Sequence, residues 1–268
     1  MIPKTIHYCW LSGDPMPRQA TSCMSTWKKV MPDYELVHWG MERFDITSNQ
    51  FVREACAARK WAFAADYIRL HALYTEGGVY LDCDVVVRKR FDEFLDNGLF
   101  TAVEYNHNFI YLDDTLSMLN PDGTSKIPHT RKPGIGIQAA VIAAEQGHPF
   151  LKACMDWYED RHFKLEGCNY DNCVIAPDIY AVVAENYGFR YADERQTLPG
   201  RMLVLPSEYF VTLPLQTTEN SYAIHLCANS WCDETRPPLQ RGLDKARRNI
   251  VLRKLFRKKV VRPFAGVR

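Results

Sequence analysis

The chain has 268 residues, 47% of them hydrophobic and 24% charged, with a net charge of +1; this is ordinary for a folded chain and enough for one large α/β domain or two small ones. No apolar run is long enough to span a bilayer, and Met1-Ile2-Pro3-Lys4 lacks the layout of a secretory signal. The nine cysteines are odd in number and never spaced Cys-x-x-Cys, which argues against a zinc site or a disulfide framework and predicts reduced thiols in a cytoplasmic protein.

The opening reads as strand, helix, strand. Residues 5–10 are rich in β-formers, 18–30 form a helix stopped by Met31-Pro32-Asp33, and 34–39 form the next strand. A βαβ opening predicts a Rossmann-like layer. Residues 54–75 read as one long helix, because alanine recurs and Trp61, Ala65, Ile68 and Ala72 share a face. Gly77-Gly78 ends it, where glycine adopts positive φ at little cost. Residues 79–87 read as one buried strand. Residues 106–133 are polar and turn-rich, and read as a long surface loop of the type that often covers an active site. Residues 136–144 are a buried segment, 149–163 and 178–187 are helices, and 202–206 and 221–226 are late strands.

The terminal segment differs in charge. Residues 241–268 carry eleven Lys and Arg against one acid, Asp244, while the rest carries 22 basic side chains against 31 acidic ones. With Leu252, Leu255, Phe256, Val260 and Val261 interspersed, this segment predicts a basic amphipathic helix on an anionic membrane, or else a solvated terminal helix. Nucleic acid is not expected as a partner, because the acidic body would repel phosphate. The expected organisation is therefore a domain over 1–240 followed by a basic tail over 241–268.

The chemistry centres on Tyr80-Leu81-Asp82-Cys83-Asp84. On a strand, Tyr80, Asp82 and Asp84 would share one face. Two carboxylates at the end of an apolar strand are costly to bury unpaired, and a divalent cation, Mn²⁺ or Mg²⁺, would offset that cost and attract phosphate. Taken alone, an Asp-x-Asp of this length is more often a solvated pair. Asp66 and Arg69, three apart on the preceding helix, either pair with each other or hold a phosphate or sugar.

The ordered run Ala65-Asp66-Tyr67-Ile68-Arg69, then Gly77-Gly78-Val79-Tyr80-Leu81-Asp82-Cys83-Asp84, resembles the DXD glycosyltransferases with a sugar-binding region, glycosyltransferase family 32. That family is related to yeast outer-chain mannosyltransferases and the glucosylating domains of clostridial toxins, and its bacterial capsular-polysaccharide and lipopolysaccharide branch is the most similar. The opening strand with Ser25-Thr26-Trp27, the block Ile137-Gln138-Ala139-Ala140 with Gly147-His148-Pro149-Phe150, and the closing Pro206-Ser207-Glu208-Tyr209-Phe210, Ala223-Ile224-His225 and Ser230-Trp231 extend the resemblance to about residue 235.

The resemblance implies a GT-A fold, a Rossmann-like α/β architecture with a mixed central sheet. It also implies retaining transfer from a nucleotide-sugar, UDP-linked first and GDP-linked second, to a glycan or lipid-linked acceptor. Trp10 would stack on the donor's base. Asp66 and Arg69 would bind the donor sugar, with Arg69 near the diphosphate, and Tyr80 would line the same pocket. Asp82 would contact the ribose or reach the metal through water, and Asp84 would ligate the metal directly. Gln138 stands near the reaction centre, where relatives often carry asparagine. Ser230 and Trp231 would close over the diphosphate, with His225 at the base of their loop. Ala65 and Leu226-Cys227-Ala228 also depart from the family pattern, which bears on donor choice. Two rival readings are a haloacid dehalogenase-type phosphatase, whose Asp-x-Asp-x-Val signature is matched at 82–86, and a non-catalytic protein that binds nucleotide-sugars or glycans.

Overall fold

The computed structural model describes residues 1–105, 112–163, 174–212 and 214–227. Among them the chain forms, in order, β1 (Thr5–Cys9), α1 (Arg18–Val30), β2 (Glu35–Trp39), α2 (Gln50–Ala57), α3 (Trp61–Glu76), β3 (Gly78–Leu81), β4 (Val85–Val87), β5 (Leu99–Tyr105), α4 (Leu112–Ser117), β6 (Ile135–Ile137), β7 (Val141–Ala144), α5 (Pro149–Glu159), α6 (Ala176–Ala184), β8 (Gln196–Leu198), β9 (Met202–Leu205), β10 (Phe210–Val211) and β11 (Ala223–His225). The main sheet has the order β2-β1-β3-β7-β5-β9-β8, with β6 paired to β5, and a small sheet has the order β10-β11-β4. The β2-β1, β1-β3 and β5-β9 pairs are parallel, while β7 runs antiparallel to β3 and β5. This is the mixed central sheet of a Rossmann-like α/β fold.

Both faces of the main sheet are covered. One packs on α2, α3, α5 and α6 through Ala64, Ile68, Leu73, Tyr80, Val103, Phe150 and Tyr180. The other packs on α1 and the small sheet through Ile6, Trp27, Leu81, Val85, Phe100, Phe210 and Ala223. Helix α1 shows how local pattern becomes packing. Ala20, Cys23 and Trp27 lie three and four residues apart and form its buried stripe, while Lys28 and Lys29 close its last turn. The Trp27 indole donates to Val85 O at 2.7 Å, and Val87 N donates to Thr26 Oγ1 at 2.9 Å. One turn of α1 thereby holds β4 in place.

Two glycines carry the chain from α3 into β3. Gly77, at φ 68°, caps α3 by donating to Leu73 O at 2.9 Å. Gly78, at φ 113°, has no room for a side chain, because a Cβ there would come within 2.8 Å of Thr5 O and 3.0 Å of His7 Nε2.

Three sequence expectations need correction. The helix expected over 54–75 is two helices, because Arg59 takes a left-handed φ of 55° and its N–H bonds back to Cys56 O. The buried residues Phe51, Val52, Ala55 and Cys56 of α2 and Ala64, Ala65 and Ile68 of α3 then meet in one core cluster, so tertiary packing overrides alanine's helix propensity. The strand expected over 79–87 breaks at residues 82–84, where Val85 N closes a turn onto Asp82 O at 2.9 Å. Its two halves belong to different sheets, so strand alternation does not orient Asp82 and Asp84. The described part of the loop expected over 106–133 contains α4 and reaches the interior at Thr115 and Lys132, both buried. The buried Lys132 ammonium accounts for this ordering, since it donates to Ile127 O at 3.0 Å and lies 3.5 Å from the Glu185 carboxylate.

Candidate active site

In the main sheet the chain crosses from β1 to β2 on one side and returns to β3 on the other. In open α/β sheets, ligands bind beyond the carboxyl ends of strands at such a reversal. Trp10 follows β1 there and Asp82 follows β3. The Cys83 thiol donates to Cys9 O at 3.4 Å and draws the aspartate turn against the end of β1.

Asp82, Asp84 and His225 converge at this edge. Each offers a ligand atom, and the three atoms lie within 4.8 Å of one another. The antiparallel pairing of β11 with β4 sets His225 opposite Val85. This places His225 Nε2 at 3.3 Å from Asp84 Oδ1 and 4.0 Å from Asp82 Oδ2. Leu226 N donates to Asp84 O at 3.2 Å and locks the backbone of the same turn. The side chains keep 15 to 25% of their surface accessible. Two carboxylates and an imidazole, partly open to solvent, are a fitting donor set for a divalent cation with coordination sites left for a ligand. Burial works against a charge on His225, but the neighbouring Cys227 and Asp84 outweigh it and raise its pKa well above the ordinary value.

Behind this triad lies a buried ionic cluster. Arg69 Nη2 lies 2.8 Å from Asp66 Oδ1 and 3.4 Å from Asp82 Oδ1, with the Arg69 side chain 5% exposed. Its guanidinium stacks 4.8 Å above the Tyr80 ring, and the Tyr80 hydroxyl donates to Asp82 Oδ1 at 3.0 Å. Arg69 thus ties α3 to the aspartate turn and balances two carboxylates. Burial opposes its charge, yet Asp82, Tyr80 and Asp66 together hold its pKa well above the ordinary range. Burial pushes the Asp66 carboxyl up to about 7 against the pull of Arg69, with Asp82 adding to the rise.

The sequence-derived candidates therefore divide. Asp66, Arg69, Tyr80, Asp82 and Asp84 come together. Trp10, partly buried, stands beside them and donates its indole N–H to Asp14 O at 2.6 Å. Gln138 is fully buried. Its side-chain carbonyl accepts from Ala140 N at 2.9 Å, its amide donates to Phe210 O at 3.4 Å, and Ala140 O in turn accepts from Asp82 N at 3.0 Å. Its position is that of a bracket behind the aspartate turn. Ser230 and Trp231 lie outside the described residues, as does the tail over 241–268. The sequence pattern placed His225 at the base of a loop and not among the ligands. Its position at the end of an apolar strand was visible, but its pairing across to β4 was not.

A mixed, Rossmann-like α/β sheet with an aspartate–histidine cluster at this edge defines a candidate divalent-metal triad on an α/β fold. Residues 17–101 match the family described as "glycosyltransferase sugar-binding region containing DXD motif", a span that includes α1, α3 and both aspartates. The chain is similar to an uncharacterized glycosyltransferase of Acanthamoeba polyphaga mimivirus, 30% identical over 116 residues, which is 41% of this chain and 46% of that protein. It is also similar to the initiation-specific alpha-1,6-mannosyltransferase of Candida albicans, 26% identical over 161 residues, 56% of this chain and 41% of that protein. In each case the match spans less than half of the relative's own length. Among solved structures, the PaToxG glycosyltransferase is 18% identical, with a TM-score of 0.48 and 69% of each chain covered.

Proposed function

We propose that this protein is a retaining, metal-dependent glycosyltransferase of family 32. It moves a hexosyl or N-acetylhexosaminyl group from a nucleotide-sugar, UDP-linked, to a glycan or lipid-linked acceptor in the synthesis of a surface polysaccharide such as capsule or lipopolysaccharide. The observation that carries this reading is the convergence of Asp82, Asp84 and His225 within 4.8 Å, backed by the buried Arg69.

Breaking a sugar–phosphate bond builds negative charge on the departing diphosphate. A divalent cation, Mn²⁺ or Mg²⁺, held by Asp82, Asp84 and His225 would supply Lewis-acid stabilisation of that charge. The chain's own part is to fix the geometry. Arg69 holds Asp82 and Asp66 in place, Tyr80 orients Asp82 through its hydroxyl, and Trp10 offers a ring face to the donor's base. The anomeric configuration is retained when the departing phosphate itself takes up the proton of the incoming hydroxyl.

The catalytic domain of this reading is 1–240. The tail over 241–268 lies on an anionic, cytoplasmic membrane surface, where each Lys or Arg near the lipid contributes about 1 kcal/mol. Among the described residues no helix is long and apolar enough to cross a membrane. Equal flotation with liposomes after deletion of 241–268 would remove the tail's role. The central experiment is Mn²⁺-dependent nucleotide release from a panel of UDP- and GDP-sugars. One donor should be consumed by the wild type, and Asp84→Asn should lower the rate roughly 100- to 1,000-fold. Near-normal release by the variant would refute the metal-site reading, and an inverted product anomer, read by NMR, would refute retention.

A further inference from the structure

Glu104 closes the described end of β5. Strands β3 and β5 flank β7 and both run antiparallel to it, so they are parallel to each other and end at the same edge of the sheet. Asp82 follows β3 there, and two strand spacings put β5 about 10 Å away, the width of a sugar ring with its hydroxyls. Side chains alternate along β5. Phe100 and Ala102 lie in the cluster that contains Val85, Phe210 and Ala223, so Glu104 continues the face that looks toward the small sheet carrying Asp84 and His225. Its pairing with Gly136 of β6 keeps that register to the end of the strand.

The surroundings are those of the site. The charges that act on Glu104 are, in order of size, His225, Asp178, Asp82 and Arg69, from β11, α6, the aspartate turn and α3. Burial comes first and pushes its carboxyl up to about 7. The side chain is nonetheless partly accessible, and none of the hydrogen bonds or ion pairs among the described residues uses its carboxylate. A half-buried carboxylate without a protein donor is costly unless a ligand hydroxyl completes it.

We propose that Glu104 is the acceptor-side residue of this site, its carboxylate receiving the hydrogen bond of the attacking hydroxyl in the bound state, before that proton passes to the departing phosphate as the new sugar bond forms. Asp66, Arg69 and the metal triad hold the donor, and Glu104 faces them from two strands away. This rests on the glycosyl-transfer reading. The hydroxyl that Glu104 orients is that of the acceptor, or of water when donor is hydrolysed without one.

The test uses the full chain with the donor that the wild type consumes. Three quantities are read for wild type, Glu104→Ala, Glu104→Gln and Glu104→Asp: the affinity for UDP with Mn²⁺ by calorimetry, the melting temperature, and kcat for transfer to water. Misplacing an attacking group costs up to about 100-fold. Alanine should therefore lower kcat about 100-fold and glutamine about 10-fold, with aspartate recovering part of the rate. UDP affinity should stay within about threefold and the melting temperature should stay unchanged. An unaltered kcat in Glu104→Ala would overturn the assignment. So would a fall in UDP affinity that matches the fall in rate, since that would make Glu104 a donor-side or structural group. Absence of both UDP binding and donor turnover in the wild type would overturn the glycosyl-transfer reading itself, and the assignment with it.

Discussion

Arg69→Met probes whether the ionic cluster behind the triad is an energetic unit. The arginine is 5% exposed and serves two carboxylates, at 2.8 Å and 3.4 Å. Methionine keeps the length and removes the charge. Deleting one partner of a buried ion pair costs about 3–5 kcal/mol, because the remaining charge is left uncompensated in low dielectric. Asp66 can relieve part of this by taking up a proton. Its carboxyl is already raised from 3.8 to about 7, first by burial, so the native state holds a proton that the unfolded chain releases. Stability from this group is therefore present at low pH and declines as pH rises from about 4 through 7. Without Arg69 the downward pull on Asp66 is gone, and the decline extends to higher pH. Urea unfolding should accordingly show a small deficit for Arg69→Met at pH 5.5 and a deficit of about 3–5 kcal/mol at pH 8.5. Arg69→Lys should fall between, because lysine keeps the charge but cannot bridge both carboxylates with a planar fork. A deficit below about 1 kcal/mol at pH 8.5 is the value of an exposed pair and would refute the reasoning, as would an equal deficit at both pH values.

Three further outcomes follow from the same geometry. His225→Asn should weaken Mn²⁺ binding by at least roughly 10-fold, read by titration of the metal against UDP-loaded protein; unchanged affinity would remove His225 from the ligand set. His7 is fully buried, receives the Trp39 indole N–H at Nδ1 at 3.0 Å and sets Nε2 2.7 Å from Gly77 O. Burial lowers its pKa below 6.5, and the indole N–H on Nδ1 leaves the proton of the neutral ring on Nε2, as ring nitrogen shifts in NMR would report. Its contribution to stability is present above pH 6.5 and lost as acid protonates the unfolded chain and then the folded ring; a folded-state pKa at or above 6.5 would contradict this. Gly136→Ala would drive a Cβ to 2.9 Å from Pro177 O and 3.0 Å from Pro177 C, backbone that cannot swing aside. It should cost about 1–3 kcal/mol in thermal unfolding, and an unchanged melting temperature would show that α6 gives way there.

Much of this was legible in residue order alone. The opening βαβ unit is encoded in local periodicity: helix 18–30 was placed to the residue, and the strands to within one. The aspartates, Asp66 and Arg69 were found because a glycine pair and an apolar strand surround them in a fixed order. Other parts of the same pattern turn out to serve folding. Thr26 and Trp27 hold β4, and His148 caps α5 by accepting from Phe150 N. Recurring residues therefore do not separate chemistry from support.

What the sequence by itself determined is the set of local elements and the residue types at the edge of β3, since side-chain period and glycine position are properties of neighbours in the chain. Only the tertiary structure decided where the runs break and what meets across them. Arg59 divides a continuous alanine-rich run, and the buried faces of α2 and α3 then meet in one core. The apolar stretch over 79–87 divides between two sheets, which turns a strand's alternation into a turn's convergence. His225 reaches the aspartates because β11 pairs with β4, and Glu104 ends at the same edge of the sheet because β7 sets β3 and β5 parallel. Periodicity reports that a face is buried, but not which partner buries it. That choice belongs to strand order and register, which are fixed by contacts between residues far apart in the chain.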